Sequence, residues 1–397
     1  MGSVRQIVVK LAQRVNEALV GRDLEPLRAT VTSKLRGATN DLEGIDGDAF
    51  PESVLHELVR TRLPEGMHVA RIPARIAGAS FVTTRFGGGM TPANHRRAWV
   101  AKALYEFLQD LLDDVLDSGS YSFDEARQLY AVCGESLTEA EFDPARFREE
   151  LARLLRGSHK ALAPLLATLS AELNPRLRAS PSGGAIFAAM ARMSERLGIA
   201  QSATIYLRRP TLDLAAAQRI ASELPSADPE APWFERLGAY ASWVLAHALI
   251  DLCFLDEPMT PEDVAALEEV WYHMNVELSF IDHVAGLEKD LRDGIYNFAW
   301  AAIRETRPDL DVNSTLPIPR EDQARIVALT AEFANRAIKQ DAAHFGKTDG
   351  FYPFLAILGP VVLTAPGTGN DPWVLDCFLR AFGSLMRTAE GEGGLGP

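Results

Sequence analysis

The sequence predicts an all-α fold, a large bundle of helices. Apolar residues recur at steps of three and four over most of the chain, which is the periodicity of a helix with one buried face. The sequence lacks the long alternating patterns that predict strands. Signals that start helices are frequent, among them Thr91-Pro92, Ser122 with Glu125, and Thr260-Pro261. These three observations favour helices for nearly the whole chain.

The helices are predicted in chain order from the apolar periodicity and its breaks. The central helix is predicted to begin at Thr91 or Asn94 and to stop before Ser118-Gly119-Ser120. The segment from Ile72 to Gly89 is compatible with either strand or helix. The other predicted helices lie within residues 4–37 (two helices), 51–62, 122 onwards, 144–173 (one or two helices, ending before Pro175), 183–197, 210–225, 232–254, 260–292, 295–306, 320–345, 351–363 and 371–389.

The helical patterns along the chain predict three segments. These are an N-terminal helical extension over 1–94, the main bundle over 95–390, and a flexible Gly-rich tail over 391–397. Hydrophobic residues make up 47% of the 397 residues and charged residues 24%, as in ordinary globular proteins. No run of eighteen apolar residues occurs, so no membrane span is expected.

The net charge limits the kinds of molecule that this protein is expected to bind, and the cysteines indicate its cellular compartment. The net charge of −14 argues against a nucleic-acid partner, and an anionic substrate would need metal ions or local Arg and Lys to bind. The three cysteines are odd in number and far apart, which favours no disulfide framework and suits a reducing cytoplasm. The sequence is compatible with a homodimer but does not predict one.

A short acidic stretch, LLDDVLD at residues 111–117, ends the central helix. With Asp110, its carboxylates follow one side of the helix at steps of three and four, so they crowd one another. They also lie in the last turns, where the helix dipole is already negative, and each such placement costs about 0.3–1 kcal/mol. A bound cation would offset this repulsion, and oxygen-only ligands suit Mg²⁺. The alternative is a charged helix end at the surface.

A second acidic pattern lies near the end of the long helix predicted over 260–292. Asp282, Gly286 and Asp290 are four residues apart and therefore share one face, with Lys289 and Arg292 beside it. Two carboxylates two turns apart can hold a metal ion when waters fill the gap. The alternative is an ordinary solvated helix face.

Together the two patterns resemble the motifs of class I terpene synthases and related prenyl-diphosphate enzymes. Residues 113–117 match the family's Asp-Asp-x-x-Asp motif in full. Asp282, Gly286 and Asp290 resemble its second motif, except that Gly286 replaces a residue with a hydroxyl group and Asp290 replaces Glu. The segment that follows, residues 291–298, is similar to that of the bacterial class IB branch. The resemblance extends over about residues 95–390.

The resemblance implies a bundle of the isoprenoid-synthase type that ionises an allylic prenyl diphosphate. It implies three Mg²⁺ ions around the diphosphate, held by the carboxylates of Asp113, Asp114, Asp117, Asp282 and Asp290. The two acidic sites would face each other across the bundle, over an apolar cavity that folds the substrate and excludes water.

The resemblance also implies basic residues that bind the diphosphate. Arg236 stands where the family places a diphosphate-sensing arginine, and Lys289 and Arg292 would add hydrogen-bond donors. The alternative for Arg236 is an ordinary salt bridge to a neighbouring glutamate. The family's late Arg-Tyr pair is missing, and Arg380 and Arg387 are candidates to replace its arginine.

Aromatic residues of the bundle are candidates for the wall of the cavity, where their π faces would stabilise carbocations. These are Phe107, Trp243, Phe254, Trp271, Phe280, Trp300 and Phe354. For each of them, the alternative is plain core packing.

Three functions are compatible with the sequence. The first is a class I terpene synthase that makes a cyclic or linear terpene. The second is a chain-elongating or condensing prenyltransferase, for which the second motif lacks the expected pair of aspartates. The third is a non-catalytic helical binding protein with solubilising acidic stretches.

Overall fold

A computed structural model of the chain describes residues 51–64, 89–180, 183–207, 214–307 and 318–345. Within these ranges all regular secondary structure is helical, with twelve α-helices, one 3₁₀ helix and no strand. This confirms the predicted all-α class. The helices are α1 (Glu52–Arg60), α2 (Pro92–Asp117), α3 (Phe123–Thr138), α4 (Pro144–Leu154), the 3₁₀ helix Gly157–Leu162, α5 (Ala163–Arg178), α6 (Gly183–Tyr206), α7 (Leu214–Ser222), α8 (Trp233–Tyr240), α9 (Val244–Leu252), α10 (Pro261–Asp293), α11 (Phe298–Thr306) and α12 (Arg320–Phe345).

The predicted helix starts are confirmed at three places. Thr91 caps α2 by accepting a hydrogen bond from the backbone N–H of Asn94 at 3.3 Å. Ser122 and Glu125 form the capping box of α3. Thr260 Oγ1 accepts from the backbone N–H of Asp263 at 3.2 Å at the start of α10. These signals are local in sequence, which is why they could be recognised there.

Three predicted helix boundaries were wrong. Helix α5 continues through Pro175 to Arg178, since Leu177 is buried and holds the last turn in the core. The helix predicted over 183–197 runs on to Tyr206. The segment predicted as one helix over 232–254 is two, α8 and α9, and the carbonyl of Ala241 between them accepts a hydrogen bond from the Gln201 side chain.

Some predictions fall outside the described residues. They concern the helices of 4–37, 351–363 and 371–389, most of the segment 72–89, and the tail. The N-terminal extension over 1–94 therefore stays a prediction, as does the isoprenoid-synthase type of the bundle. No helix within the described ranges combines the length and apolar character that crossing a membrane requires.

The chain divides into two compact units. Unit one consists of Met1–Gly198 with Trp243–Val264, and unit two of Ile199–Ser242 with Ala265–Pro397.

In unit one, α2 packs against α5 and α9, and α5 also packs against α1, α3 and α4. Leu104, Leu108 and Leu112 of α2 are fully buried, and each such side chain contributes about 1.5–3 kcal/mol. Buried polar contacts fix the position of α3 against α5: Asn174 Nδ2 donates to the carbonyls of Ser136 and Glu139 at 2.9 and 3.0 Å. The helix that carries the first acidic motif is therefore anchored in the core of this unit.

In unit two, an aromatic cluster joins α8, α10, α11 and α12. The ring of Phe280 meets those of Phe298 and Phe333 edge-on, with centroids 5.1 and 4.9 Å apart, and Phe234 lies 5.5 Å from Phe298. Gly238 allows α8 to lie close to α11, since a Cβ atom at position 238 would lie 2.3 Å from the Phe298 ring. This cluster supports the C-terminal half of α10, where the second acidic motif lies.

Candidate functional site

The first acidic motif occupies the last turns of α2, as predicted. Asp113 and Asp114 are half-buried and Asp117 is exposed. The helix ends at Asp117, and Gly119 follows with φ +67°, a conformation that glycine adopts without strain. Each of the three aspartates takes part in at least one interaction.

Tyr130 of α3 lies beside the first motif. Burial raises the pKa of its phenol well above the ordinary value, and the nearby charges of Asp113 and Asp117 raise it further. The phenol therefore stays protonated in the neutral pH range.

A polar stripe continues from the motif into the core of unit one. Lys102, Glu106 and Asp110 precede Asp113 on α2 at steps of four, four and three, so they lie on one side of the helix. The exposed fraction is 0% for Lys102, 6% for Glu106 and 7% for Asp110. The carboxylates of the motif are thus the outer end of a row of buried charged groups, which a simple surface helix end would not have.

Helix α9 supplies the partners of this stripe. Lys102 Nζ lies 3.1 Å from Asp251 Oδ1, and neither side chain is exposed. Burial lowers the pKa of Lys102 and raises that of Asp251, while the attraction between the two groups opposes both shifts. Glu106 Oε2 accepts from Trp243 Nε1 at 2.9 Å and contacts His247 Nε2 at 2.8 Å.

Sequence reasoning missed this buried network. The signals were present, because Lys102, Glu106 and Asp110 interrupt an apolar helix every four residues, and His247 and Asp251 do the same on α9. Trp243, predicted as cavity wall, is half-buried and bonds its indole N–H to Glu106. What the sequence did not reveal is which of these distant groups would meet.

The second acidic motif lies on α10, within unit two. Asp282 is exposed, whereas Asp290 is half-buried near the end of the helix. Burial raises the pKa of Asp290, and the charge of Asp282 raises it further, while His283, Asn297 and Lys289 oppose the shift. The two carboxylates are therefore close enough to influence each other across the turn that contains Gly286.

Asn297 holds the Asp290 carboxylate. Its Nδ2 donates to Asp290 Oδ2 at 2.9 Å and to the carbonyl of His283 at 2.7 Å. Its Oδ1 accepts from the backbone N–H of Trp300 at 3.1 Å and so caps α11. His283 Nδ1 accepts from the backbone N–H of Phe298 at 3.3 Å, which places the proton of the neutral ring on Nε2.

Arg236 is half-buried on α8 and has no ion pair with the described residues, although Tyr272 lies close enough to feel its charge. The alternative was a salt bridge to Glu235 or Glu230, and neither of these described residues pairs with Arg236. Glu235 instead contacts Arg336 at 2.8 Å. Nor does the Arg236 Nε atom have a hydrogen-bond partner in the described part of the chain.

Lys289 and Arg292 are exposed and form surface ion pairs within α10. Lys289 Nζ lies 3.6 Å from Asp293, and Arg292 lies 3.6 Å from Glu288. Such pairs are weak, on the order of 0–1 kcal/mol, so they do not prevent these side chains from turning to another anion. Their role with a diphosphate stays a prediction.

The predicted wall residues are mostly buried in the described core. Phe107, Trp271 and Phe280 have exposed fractions of 2%, 5% and 0%. The Phe280 ring packs within the aromatic cluster of unit two, which is the plain core role. Phe254 lies under the Arg97 guanidinium, 5.4 Å from the ring centroid. Phe354, Arg380 and Arg387 lie outside the described residues.

Glu277, in the middle of α10, is a second group that sequence reasoning missed. Its side chain is fully buried, and neither carboxyl oxygen has a hydrogen-bond partner among the described residues. Burial raises its pKa to about 8, so the carboxyl is protonated at neutral pH. A single Glu between Val276 and Leu278 was the only signal in the sequence.

The donors of both motifs fit Mg²⁺ better than a softer metal, because they are carboxylate oxygens. Within the described ranges, no group of three or more His, Cys, Asp or Glu side chains is arranged to hold a metal ion. Mg²⁺ usually takes only one or two carboxylates and completes its shell with water and substrate phosphate. Asp290, with its orientation fixed by Asn297, suits a Mg²⁺ site in which water and substrate phosphate supply most of the ligands.

No protein-family model matches the chain, and no curated protein matches its sequence.

Proposed function

We propose that this chain is a class I terpene synthase, which ionises an allylic prenyl diphosphate with Mg²⁺ and releases a cyclic or linear terpene and diphosphate. The observation that carries the proposal is the complete Asp-Asp-x-x-Asp motif of Asp113, Asp114 and Asp117 at the end of α2. Two of its three carboxylates are half-buried, and it continues a buried polar stripe.

The second motif and Arg236 support the proposal independently. Asp282 and Asp290 lie on one face of α10, and Asn297 fixes the Asp290 carboxylate. Arg236 offers a guanidinium with no ion pair among the described residues, and planar guanidinium groups bind phosphate through two hydrogen bonds. Because no ion pair with a described residue has to be broken, the Arg236 guanidinium can bind an anionic ligand at a small cost in free energy.

The roles of the residues follow from this chemistry. Mg²⁺, when bound, neutralises the diphosphate and stabilises the charge that grows on it as the C–O bond breaks. The carboxylates of Asp113, Asp114, Asp117, Asp282 and Asp290 would hold the ions, and Arg236, Lys289 and Arg292 would donate to the departing diphosphate. Of the predicted wall residues, Phe107 and Trp271 would keep water from the hydrocarbon chain, whereas Phe280 packs within the aromatic cluster of unit two.

Incubation with geranyl, farnesyl and geranylgeranyl diphosphate in the presence of Mg²⁺ tests the proposal. Gas chromatography with mass spectrometry should detect a terpene hydrocarbon or alcohol from at least one substrate. A longer prenyl diphosphate, formed when isopentenyl diphosphate is added, would instead identify a prenyltransferase. For the variant Asp113→Ala, the matched control is Asp124→Ala. This control removes an acidic residue in the first turn of α3 that belongs to neither motif.

A non-catalytic helical binding protein is the second candidate. It is favoured by the lack of a three-residue metal group in the described part of the chain. It predicts no turnover of any prenyl diphosphate, and equal behaviour of the wild type and the Asp113→Ala variant.

A further inference from the structure

The second motif departs from the pattern it resembles at Gly286, where a hydroxyl residue is expected. The surroundings of Gly286 account for the departure. A Cβ atom at this position would lie 3.0 Å from Asp290 Oδ2 and 3.4 Å from Asp290 Cγ. The Asp290 carboxylate thus lies back over the helix, in the space that a side chain at position 286 would occupy.

A single amide keeps the carboxylate there. Asn297 is fully buried, and its Nδ2 bonds both Asp290 Oδ2 and the carbonyl of His283. Because both partners of Nδ2 accept hydrogen bonds and Oδ1 faces the N–H of Trp300, the partners fix the orientation of the amide. The backbone N–H of Ile295 also donates to the carbonyl of Asp290 at 2.8 Å, so the loop after α10 is tied to the same residue.

We infer that Asn297 is a positioning residue for Asp290, and that Gly286 provides the space this arrangement needs instead of marking a lost ligand. The inference rests on the proposed function, in which Asp290 binds a divalent cation. Residues that orient a metal ligand by hydrogen bonding typically change metal affinity 10–100-fold when they are replaced. Asn297 is suited to this role because it links Asp290 to the start of α11.

Replacement of Asn297 by Ser separates the cap of α11 from the two hydrogen bonds that Nδ2 donates, to Asp290 and to the carbonyl of His283. A serine hydroxyl can still cap α11, since Ser is as good an N-cap as Asn. It is too short to keep the bond to Asp290, so the carboxylate is released while the helix start remains. The control is Asn275→Ser, which also removes a buried amide bonded to a backbone carbonyl, that of Ala239 at 3.0 Å.

Binding of Mn²⁺ in the presence of inorganic diphosphate, followed by electron paramagnetic resonance, is the measurement. We expect Asn297→Ser to weaken Mn²⁺ binding about tenfold or more, and Asn275→Ser to bind as the wild type does. Thermal unfolding of both variants checks that they are folded. A wild type that binds no Mn²⁺ overturns the proposed function and this inference with it. Wild-type binding that Asn297→Ser retains in full overturns the inference alone.

Two substitutions at Gly286 give a test that does not alter Asn297. Gly286→Ala adds only the Cβ atom, and Gly286→Ser adds the hydroxyl of the related motif as well. Because Asn297 holds Asp290 in the space next to Gly286, both variants should lose Mn²⁺ affinity. Tighter Mn²⁺ binding by Gly286→Ser than by the wild type would show that the position lacks a ligand, and would refute the role given to Gly286.

Discussion

Replacement of Glu277 by Gln should remove a loss in the free energy of unfolding that the wild type suffers as the pH rises. The side chain is fully buried on α10 without a hydrogen-bond partner among the described residues, and burial raises its pKa from 4.5 to about 8. Below pH 4.5 the carboxyl is protonated in both the folded and the unfolded chain. Between pH 4.5 and 8 only the unfolded chain releases the proton, so the folded state loses stability as the pH rises.

The magnitude follows from the two pKa values. The difference between 8 and 4.5 is 3.5 units, and one unit corresponds to about 1.4 kcal/mol. Wild-type protein should therefore lose about 5 kcal/mol more than Glu277→Gln as the pH rises from well below 4.5 to well above 8, and about 3 kcal/mol of this loss should be present by pH 7. Gln keeps the size of the side chain and cannot ionise, so the difference between the two proteins isolates the carboxyl group.

Urea unfolding at pH 5, 7 and 9, followed by circular dichroism, measures this difference. The control is Glu262→Gln, which removes an exposed carboxyl from the first turn of the same helix and should leave the pH profile unchanged. Parallel pH profiles for the wild type and Glu277→Gln would refute the reasoning, because Glu277 would then ionise equally in both states.

One further prediction concerns the buried ion pair of unit one, and another concerns the aromatic packing of unit two. Lys102→Met leaves Asp251 buried without its partner and should cost about 3–5 kcal/mol in urea unfolding, whereas the double variant with Asp251→Leu should recover most of the loss. A double variant no more stable than Lys102→Met would contradict this account of the ion pair. Gly238→Ala places a Cβ atom against the Phe298 ring and should cost about 1–3 kcal/mol, seen as a lower thermal midpoint. An unchanged midpoint would show that α8 and α11 separate easily.

The features that sequence alone predicted are those fixed by neighbouring residues. The cap at Thr91, the capping box at Ser122 and the two ends of α10, at Thr260 and at Asp293-Gly294, were correct because each depends on a few adjacent residues. The continuation of α5 past Pro175 was not predicted, since burial of a later residue decides it.

The candidate site was only partly predictable for the same reason. The positions of Asp113 and Asp290 could be predicted, because they follow from helical spacing. The pairing of Lys102 with Asp251, 149 residues away, depends on how α9 packs against α2. The role of Gly286 depends on a side chain rotamer held by Asn297, and no spacing in the sequence encodes that contact.

Both acidic motifs are proposed to be needed for Mg²⁺-dependent release of diphosphate. Release of diphosphate from the preferred prenyl substrate, with and without Mg²⁺, tests this claim in the wild type, Asp113→Asn and Asp290→Asn. Since a metal ion contributes several kcal/mol to such a reaction, each variant should lose at least about 100-fold in rate. Chelation of Mg²⁺ should abolish release by the wild type. Full release by either variant, or release that continues without Mg²⁺, would contradict the claim.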